Sequence, residues 1–210
     1  MSMNSDTQLT VGEASIKLLE AYGVDTVFGI PGVHTLEFCK GLNQSPIRHV
    51  QARNEQGAGF MADGYARASN RPGVALLISG PGVTNAATAM GQAYADSIPM
   101  LVLSADAASH TLGKGLGYLH EVTSLTDATA PLTAFSATAM TAEEVPVLFA
   151  RAFSVFSGQR PRPVHIAIPI DVLEMPATGN WEAIELPQLP TATTEKIERA
   201  CELLSAATQP

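Results

Sequence analysis

The stretch 47–84 reads IRHVQARNEQGAGFMADGYARASNRPGVALLISGPGVT, and it constrains the fold more than any other part of the chain. A short apolar run leads past the acidic Glu55 into a segment of small residues. After a break at Asn70-Arg71-Pro72-Gly73, a second, near-continuous apolar run stops at Ser79-Gly80-Pro81-Gly82. The order is strand, helix, turn, strand, glycine-rich turn. Parallel strands need a helical crossover between them, and a strand buried on both faces is apolar throughout rather than alternating. In open sheets of this kind ligands bind beyond the carboxyl ends of the strands. Glu55 and the 80–85 turn are therefore expected to meet there.

The same pattern extends in both directions. Thr10-Val11-Gly12-Glu13 has capping-box spacing, Ile16, Leu18 and Leu19 continue a helix, and Gly23 stops it. Strands are expected at 25–30, 47–52, 74–79, 100–105, 132–138 and 164–168, with helices at 35–42, 55–68 and 86–95 between the earlier ones. Thr141-Ala142-Glu143-Glu144 is a second capping box, opening a helix to about residue 156. Together these predict a doubly wound α/β fold, an approximately six-stranded parallel sheet with helices on both faces. The segment 106–117 has no period, and so long a loop in a compact domain reads as a functional lid. Residues 1–175 form the domain, 176–192 a proline-rich linker, and 193–210 the first helix of a following domain. The 55–68 helix carries Gly57, Ala58, Gly59, Ala62, Gly64, Ala66 and Ala68. Such small residues serve either tight packing on the sheet or a subunit interface.

Composition narrows the function. A hydrophobic content of 46% over 210 residues supplies a core, while only 15% charged residues leaves a partly apolar surface suited to subunit or interdomain contact. A net charge of -8 argues against a nucleic-acid partner. Cys39 and Cys201 lie far apart in predicted helices, and no Cys/His cluster has metal-ligand spacing, so neither a disulfide framework nor a metal site is expected in this chain. No apolar run reaches the roughly 18 residues that span a bilayer, and residues 1–10 are polar without a basic or apolar signal region. A cytoplasmic protein without membrane partners is the expectation.

A glycine-rich turn between strand and helix first suggests a dinucleotide site. The spacing contradicts it: Gly80-x-Gly82-x-x-Asn85 lacks a third glycine, Pro81 removes a donor, and the turn follows the third strand. Glu55, read alone, is a helix N-terminal carboxylate favoured by the macrodipole.

Several motifs at matching intervals change that reading. Phe28-Gly29-Ile30-Pro31-Gly32, Arg53-Asn54-Glu55-Gln56-Gly57-Ala58, Ala62-Asp63-Gly64-Tyr65-Ala66-Arg67, Ser79-Gly80-Pro81-Gly82-Val83-Thr84-Asn85 and Tyr94-Ala95-Asp96-Ser97-Ile98-Pro99 stand in this order. The set closes with Arg162-Pro163-Val164-His165-Ile166-Ala167-Ile168-Pro169. With them the chain resembles the N-terminal, pyrimidine-binding domain of thiamine-diphosphate-dependent enzymes of the acetolactate synthase and 2-oxoacid decarboxylase type. The resemblance covers residues 9 to 175.

It implies that Pro31, Gly32, Ser79, Pro81 and Asn85 contact the aminopyrimidine of thiamine diphosphate, and that Glu55 hydrogen-bonds its ring nitrogen N1'. The ring's imine then takes the proton from thiazolium C2, and the cofactor acts as electron sink while a 2-oxo acid loses carbon dioxide. The diphosphate and its magnesium are expected on a different domain carrying a Gly-Asp-Gly signature, which this sequence lacks. The site then lies between subunits of a homodimer or homotetramer, and this chain alone is inactive. Where the synthases carry Phe-Gln-Glu, this chain has Leu119-His120-Glu121, and Ser109-His110-Thr111 is similar to the His-His-Thr loop of simple decarboxylases. His120 and His110 are therefore the further catalytic candidates, and decarboxylation is favoured over acetolactate-type carboligation and over a non-catalytic domain or subunit that needs a separate diphosphate-binding partner. The 29–37 segment and the 112–121 loop are most similar to the branch acting on 5-guanidino-2-oxopentanoate (2-ketoarginine), in which Glu37 and Glu121 would face a guanidinium. His34, His49 and His165 read as packing or surface residues.

Overall fold

The computed structural model describes residues 8–208, so Met1 to Thr7 of the polar opening segment, and the last two residues, lie outside the described part. Helix α1 (Val11–Ala21) begins at Thr10, whose hydroxyl accepts from the Glu13 N–H at 3.2 Å while the Glu13 carboxylate accepts from the Thr10 N–H at 2.9 Å. The expected capping box is thus formed. Strand β1 (Thr26–Gly29) leads through a 3-10 turn, Val33–Thr35, into α2 (Leu36–Asn43). Then come β2 (Arg48–Gln51), α3 (Glu55–Ser69), β3 (Gly73–Leu77), α4 (Pro81–Asp96) and β4 (Met100–Asp106). A 3-10 turn at Ser109–Thr111 and a long loop precede α5 (Leu125–Thr129), and β5 (Phe135–Thr138), α6 (Glu144–Gly158), β6 (Val164–Pro169), α7 (Ile170–Leu173) and α8 (Thr194–Ala206) complete the chain.

All six strands are parallel, in the order β2-β1-β3-β4-β6-β5. Side chains alternate along each strand, so β3 divides cleanly between two layers. Val74 and Leu76 face α1, α2 and α6, where Ile16, Leu18, Leu19, Phe38, Phe149 and Phe153 fill the space. Ala75 and Leu77 face α3 and α4, whose buried residues are largely Ala58, Ala62, Ala86, Ala89 and Ala93. One layer is thick and branched, the other thin and close. A Cβ on Gly59 would stand 2.7 Å from the Ala89 Cβ, so α3 and α4 approach more closely than larger residues permit. Small residues in α3 therefore serve internal packing on one face. On the other, Gly57 and Gly64 have nothing within 4 Å, and Phe60 and Met61 are 40% and 42% exposed.

Several expectations are corrected. The 74–79 strand leaves the ladder after Leu77, and the helix expected at 86–95 already begins at Pro81, because proline at the first helical position loses no needed hydrogen bond. Thr141 does not cap α6: its N-cap is Glu143, without a side-chain cap bond, and the Glu144 carboxylate instead accepts from the Met140 N–H at 2.6 Å. Helix α5 had no long period to reveal it. The start of the expected lid is pinned, since the Ser109 N–H and hydroxyl donate to Asp171 of α7 at 2.8 and 2.6 Å. Residues 176–192 have almost no regular structure yet pack on the first layer through Trp181, Ala183 and Leu186, while α8 is exposed along its length. Cys39 and Cys201 are free, and no described helix is long and apolar enough to cross a membrane.

Two buried ionisable groups oppose each other in their effect on stability. His165 is enclosed, sharing hydrogen bonds with Ser104, Thr129 and Ser136 at 2.9 Å each, so it is the packing residue expected, and burial lowers its pKa from 6.5 to about 3. Asp106, at the carboxyl end of β4, is pushed up by burial from 3.8 to about 6, against the Ala107 N–H bond that lowers it. On acidification the unfolded chain protonates at His165 before the native state does, so that contribution is present above 6.5 and lost as pH falls toward 3. Asp106 acts in the other direction: its contribution is full below 3.8 and lost as pH rises through about 6. The two offset one another between 3.8 and 6. Asp106→Asn removes one side, so urea unfolding at a series of pH values should show the variant losing stability on acidification across this window more steeply, by up to about 1.4 kcal/mol per pH unit. Parallel pH profiles for the two proteins would contradict this reading.

Candidate functional site

Strand β1 pairs with β2 on one side and β3 on the other, with Val27 opposite both His49 and Val74. The connections from β1 thus diverge, and a crevice opens at the carboxyl ends where the order reverses, the place at which doubly wound sheets bind ligands. Four segments border it: the loop after β1, the N-terminus of α3, the turn after β3, and the returning loop that ends at His120.

Glu55 is the first residue of α3. Asn54 caps that helix by accepting from the Gln56 N–H at 2.8 Å, which fixes where the helix starts and so where the Glu55 carboxylate points. Across the crevice, Asn85 on the first turns of α4 donates through Nδ2 to Glu55 Oε2 at 2.9 Å. Oε1 has no hydrogen-bond partner among the described residues. Glu55 is half-buried and Asn85 exposed, so the pair stands at an open surface.

Ile78, between β3 and the glycine turn, forms the floor. A Cβ on Gly32 would come within 2.7 Å of its Cδ1, and one on Gly82 within 2.6 Å of its Cγ2. Both glycines are thus needed for close approach, and together they leave a narrow apolar surface beside Glu55, whose Cγ lies 3.7 Å from the same Gly82 position. Pro31 is exposed at the lip. Pro81 starts α4, and Gly80 before it has φ 57° and ψ -114°, a conformation glycine adopts without strain.

Ser79 is buried and shares a 2.9 Å hydrogen bond with His34 Nδ1. His34, expected as a packing or surface residue, is indeed buried, but at the crevice rather than in the core. Its ring meets that of His120 edge-on, with centroids 5.8 Å apart. Burial, then the neighbouring His120, hold the His34 pKa below its ordinary value. His120 itself has φ 62°, and its carbonyl oxygen fills the place where a Gly80 Cβ would stand. Only glycine at position 80 lets the loop come down here.

The structure thus brings together Glu55, Asn85, Gly32, Ser79, Pro81 and His120. It does not join His110 to them: that residue is exposed on the 3-10 turn anchored to α7. Nor does it form a guanidinium clamp. Glu37 packs against Gly12 of α1 and pairs with Lys40. Glu121 accepts N–H groups from Leu116, Gly117 and Tyr118 at 3.2, 2.5 and 3.1 Å, and these contacts outweigh burial in holding its carboxyl below the usual range. Ile78 and His34 escaped sequence reasoning because neither carries a periodic signal; the flanking glycines Gly32 and Gly82 were the clue to Ile78. Among the described residues no group of three or more His, Cys, Asp or Glu is placed to hold a metal ion.

The site thus sets a carboxylate with one oxygen hydrogen-bonded and the other open beside the apolar side chain of Ile78. Residues 9–131 match the family model described as thiamine pyrophosphate enzyme, N-terminal TPP binding domain. The chain is 56% identical over 212 aligned positions to a Pseudomonas aeruginosa protein named "Probable 2-ketoarginine decarboxylase AruI", covering 100% of this chain and 38% of that protein. It is 35% identical over 208 positions to an acetolactate synthase of Mycobacterium bovis, covering 97% and 33%. A probable acetolactate synthase large subunit of Methanocaldococcus jannaschii is 41% identical over 160 positions, covering 76% and 27%. The chain spans only about a third of the length of these relatives. With its all-parallel sheet and a match over more than half its length, the chain belongs to the family of N-terminal thiamine-pyrophosphate-binding domains of thiamine pyrophosphate enzymes.

Proposed function

We propose that this domain binds the aminopyrimidine half of thiamine diphosphate and works within an enzyme that decarboxylates a 2-oxo acid. The observation that carries the reading is the 2.9 Å bond from Asn85 to Glu55, which orients one carboxylate oxygen and leaves the other for a ring nitrogen. When bound, the cofactor supplies an electron sink for the carbon–carbon bond that breaks. Glu55 would hold the aminopyrimidine through a proton shared with N1', Asn85 orients the carboxylate, and Ile78 with Gly32 and Gly82 would supply an apolar support for the ring. Pro31, Ser79 and Pro81 shape the rim, and His120 faces the substrate. Decarboxylation is favoured over acetolactate-type carboligation because His120 stands where those synthases carry glutamine, and because the relative sharing 56% identity bears a decarboxylase name. His110 is assigned a catalytic role through closure of the 106–117 segment that carries it.

The diphosphate and its magnesium are assigned to another domain, with residues 176–192 as linker and α8 as the first helix of a following domain. An open crevice with Glu55 at its surface needs a second wall, and a second copy of the chain in a homodimer or homotetramer would bring one. The outer face of α3, with Phe60, Met61, Gly57 and Gly64, is the surface assigned to that contact.

Three results test this. In the complete enzyme, Glu55→Gln should slow hydrogen–deuterium exchange at C2 of bound thiamine diphosphate by roughly 10² to 10⁴-fold, the range of general acid–base groups, with thermal unfolding almost unchanged. An unaltered exchange rate with cofactor bound would leave Glu55 as a helix-terminal carboxylate and nothing more. Titration calorimetry of the 210-residue chain alone should show weak, magnesium-independent binding and no turnover of pyruvate; micromolar magnesium-dependent binding would overturn the assignment of the diphosphate to another domain. Sedimentation should show at least a dimer that Phe60→Asp with Met61→Asp dissociates, and a dimer indifferent to both changes would remove α3 as the interface.

A further inference from the structure

Within the crevice two imidazoles stand in contact, and His34 is the more deeply buried of the two. His34 sits on the 3-10 turn after β1, is 8% exposed, and is tied through Nδ1 to the buried Ser79 hydroxyl at the end of β3. It therefore spans β1 and β3 at the point where the sheet order reverses. His120 comes from the far end of the long loop after β4. Its backbone takes a positive φ of 62°, which a residue other than glycine adopts rarely and mostly where its surroundings hold it there. Those surroundings are Gly80, whose bare Cα receives the His120 carbonyl, and the edge of the His34 ring, with centroids 5.8 Å apart and planes at 77°.

His120 Nδ1 is buried and has no hydrogen-bond partner among the described residues. A buried polar atom without a partner is uncommon in folded proteins and marks a place where something else is to be bonded. The strained backbone and the unmatched nitrogen belong to the same residue, and His34 is the side chain that braces it.

We propose that His34 is a positioning residue that acts through His120: anchored by Ser79, it holds the His120 imidazole at the β1–β3 reversal, where its ring serves the carboxylate or oxo group of a 2-oxo acid. This rests on the reading of His120 as the substrate-facing group of the proposed decarboxylase. His34 itself touches no substrate. Burial and the neighbouring ring both disfavour its charged form, which suits a brace rather than an anion receptor.

The test is a double-mutant cycle in the complete, thiamine-diphosphate-loaded enzyme, with pyruvate and 5-guanidino-2-oxopentanoate as probes. His34→Phe should lower kcat/KM at least tenfold, with thiamine diphosphate affinity unchanged. His34→Asn, whose amide can keep the Ser79 bond, should restore part of the loss. In a His120→Phe background, His34→Phe should have no further effect. The same fold-loss in both backgrounds would overturn the proposal, because a brace has nothing to act on once its imidazole is gone. Normal kcat/KM in His120→Phe would overturn it together with the substrate role of His120, and a persisting C2-exchange defect in Glu55→Gln would show that the cofactor reading survives. Imidazole nitrogen resonances of the 210-residue chain provide a readout independent of turnover. His34→Phe should displace the His120 signals, and unmoved signals would count against the contact. If His34→Phe does not fold, His34→Asn and His120→Phe carry the same cycle.

Discussion

Because β1 is hydrogen-bonded to β2 on one edge and to β3 on the other, the helices that follow those two strands start at the same end of the sheet. Helix α3 begins with Glu55 and α4 begins with Pro81, and the Asn85 to Glu55 bond closes the gap between them. Residues 30 apart in sequence meet because β2 and β3 run parallel on either side of β1 and end at the same edge of the sheet. The parallel topology of the sheet is thus the first determinant of where these two side chains stand.

The second determinant is the thinness of the layer that carries α3 and α4. Alanines and Gly59 let these helices lie close to each other and to β3, and a forked bond from Arg67 to Asp63, extended to Asp96 at 2.7 Å, ties their far ends. The opposite layer, filled by Phe38, Phe149 and Phe153, is the bulkier one. Larger residues at positions 59 or 89 would move α4 away from α3 and take Asn85 off the carboxylate. The site's precision is therefore a packing property of alanine and glycine as much as a property of Glu55.

Much of this was legible in the sequence, and what was not has identifiable causes. The central strands β3, β4 and β6 stood out as near-continuous apolar runs, and the Thr10 capping box was readable because both partners are local in sequence. The identical spacing at Thr141 misled: Glu144 finds the Met140 N–H, Glu143 accepts from Thr178 at 2.6 Å, and such tertiary competition leaves no mark on local spacing. Insertion of β6 between β4 and β5 depends on long-range pairing and could not be read locally. Glu55 was expected to face the 80–85 turn across the strand ends, and it does so through a bond from Asn85 that the sequence did not single out. His34 could not be placed, because its role comes from a fold-dependent meeting with Ser79 and with a loop that returns from residue 120.

The proposed function stands on contact between the Glu55 carboxylate and a ring nitrogen of the cofactor. The most direct measurement is the nitrogen resonance of N1' in isotope-labelled thiamine diphosphate bound to the complete enzyme. The account predicts that N1' is displaced from its free position in the native protein and returns close to it in Glu55→Ala, with cofactor still bound. An N1' resonance identical in both proteins would contradict it.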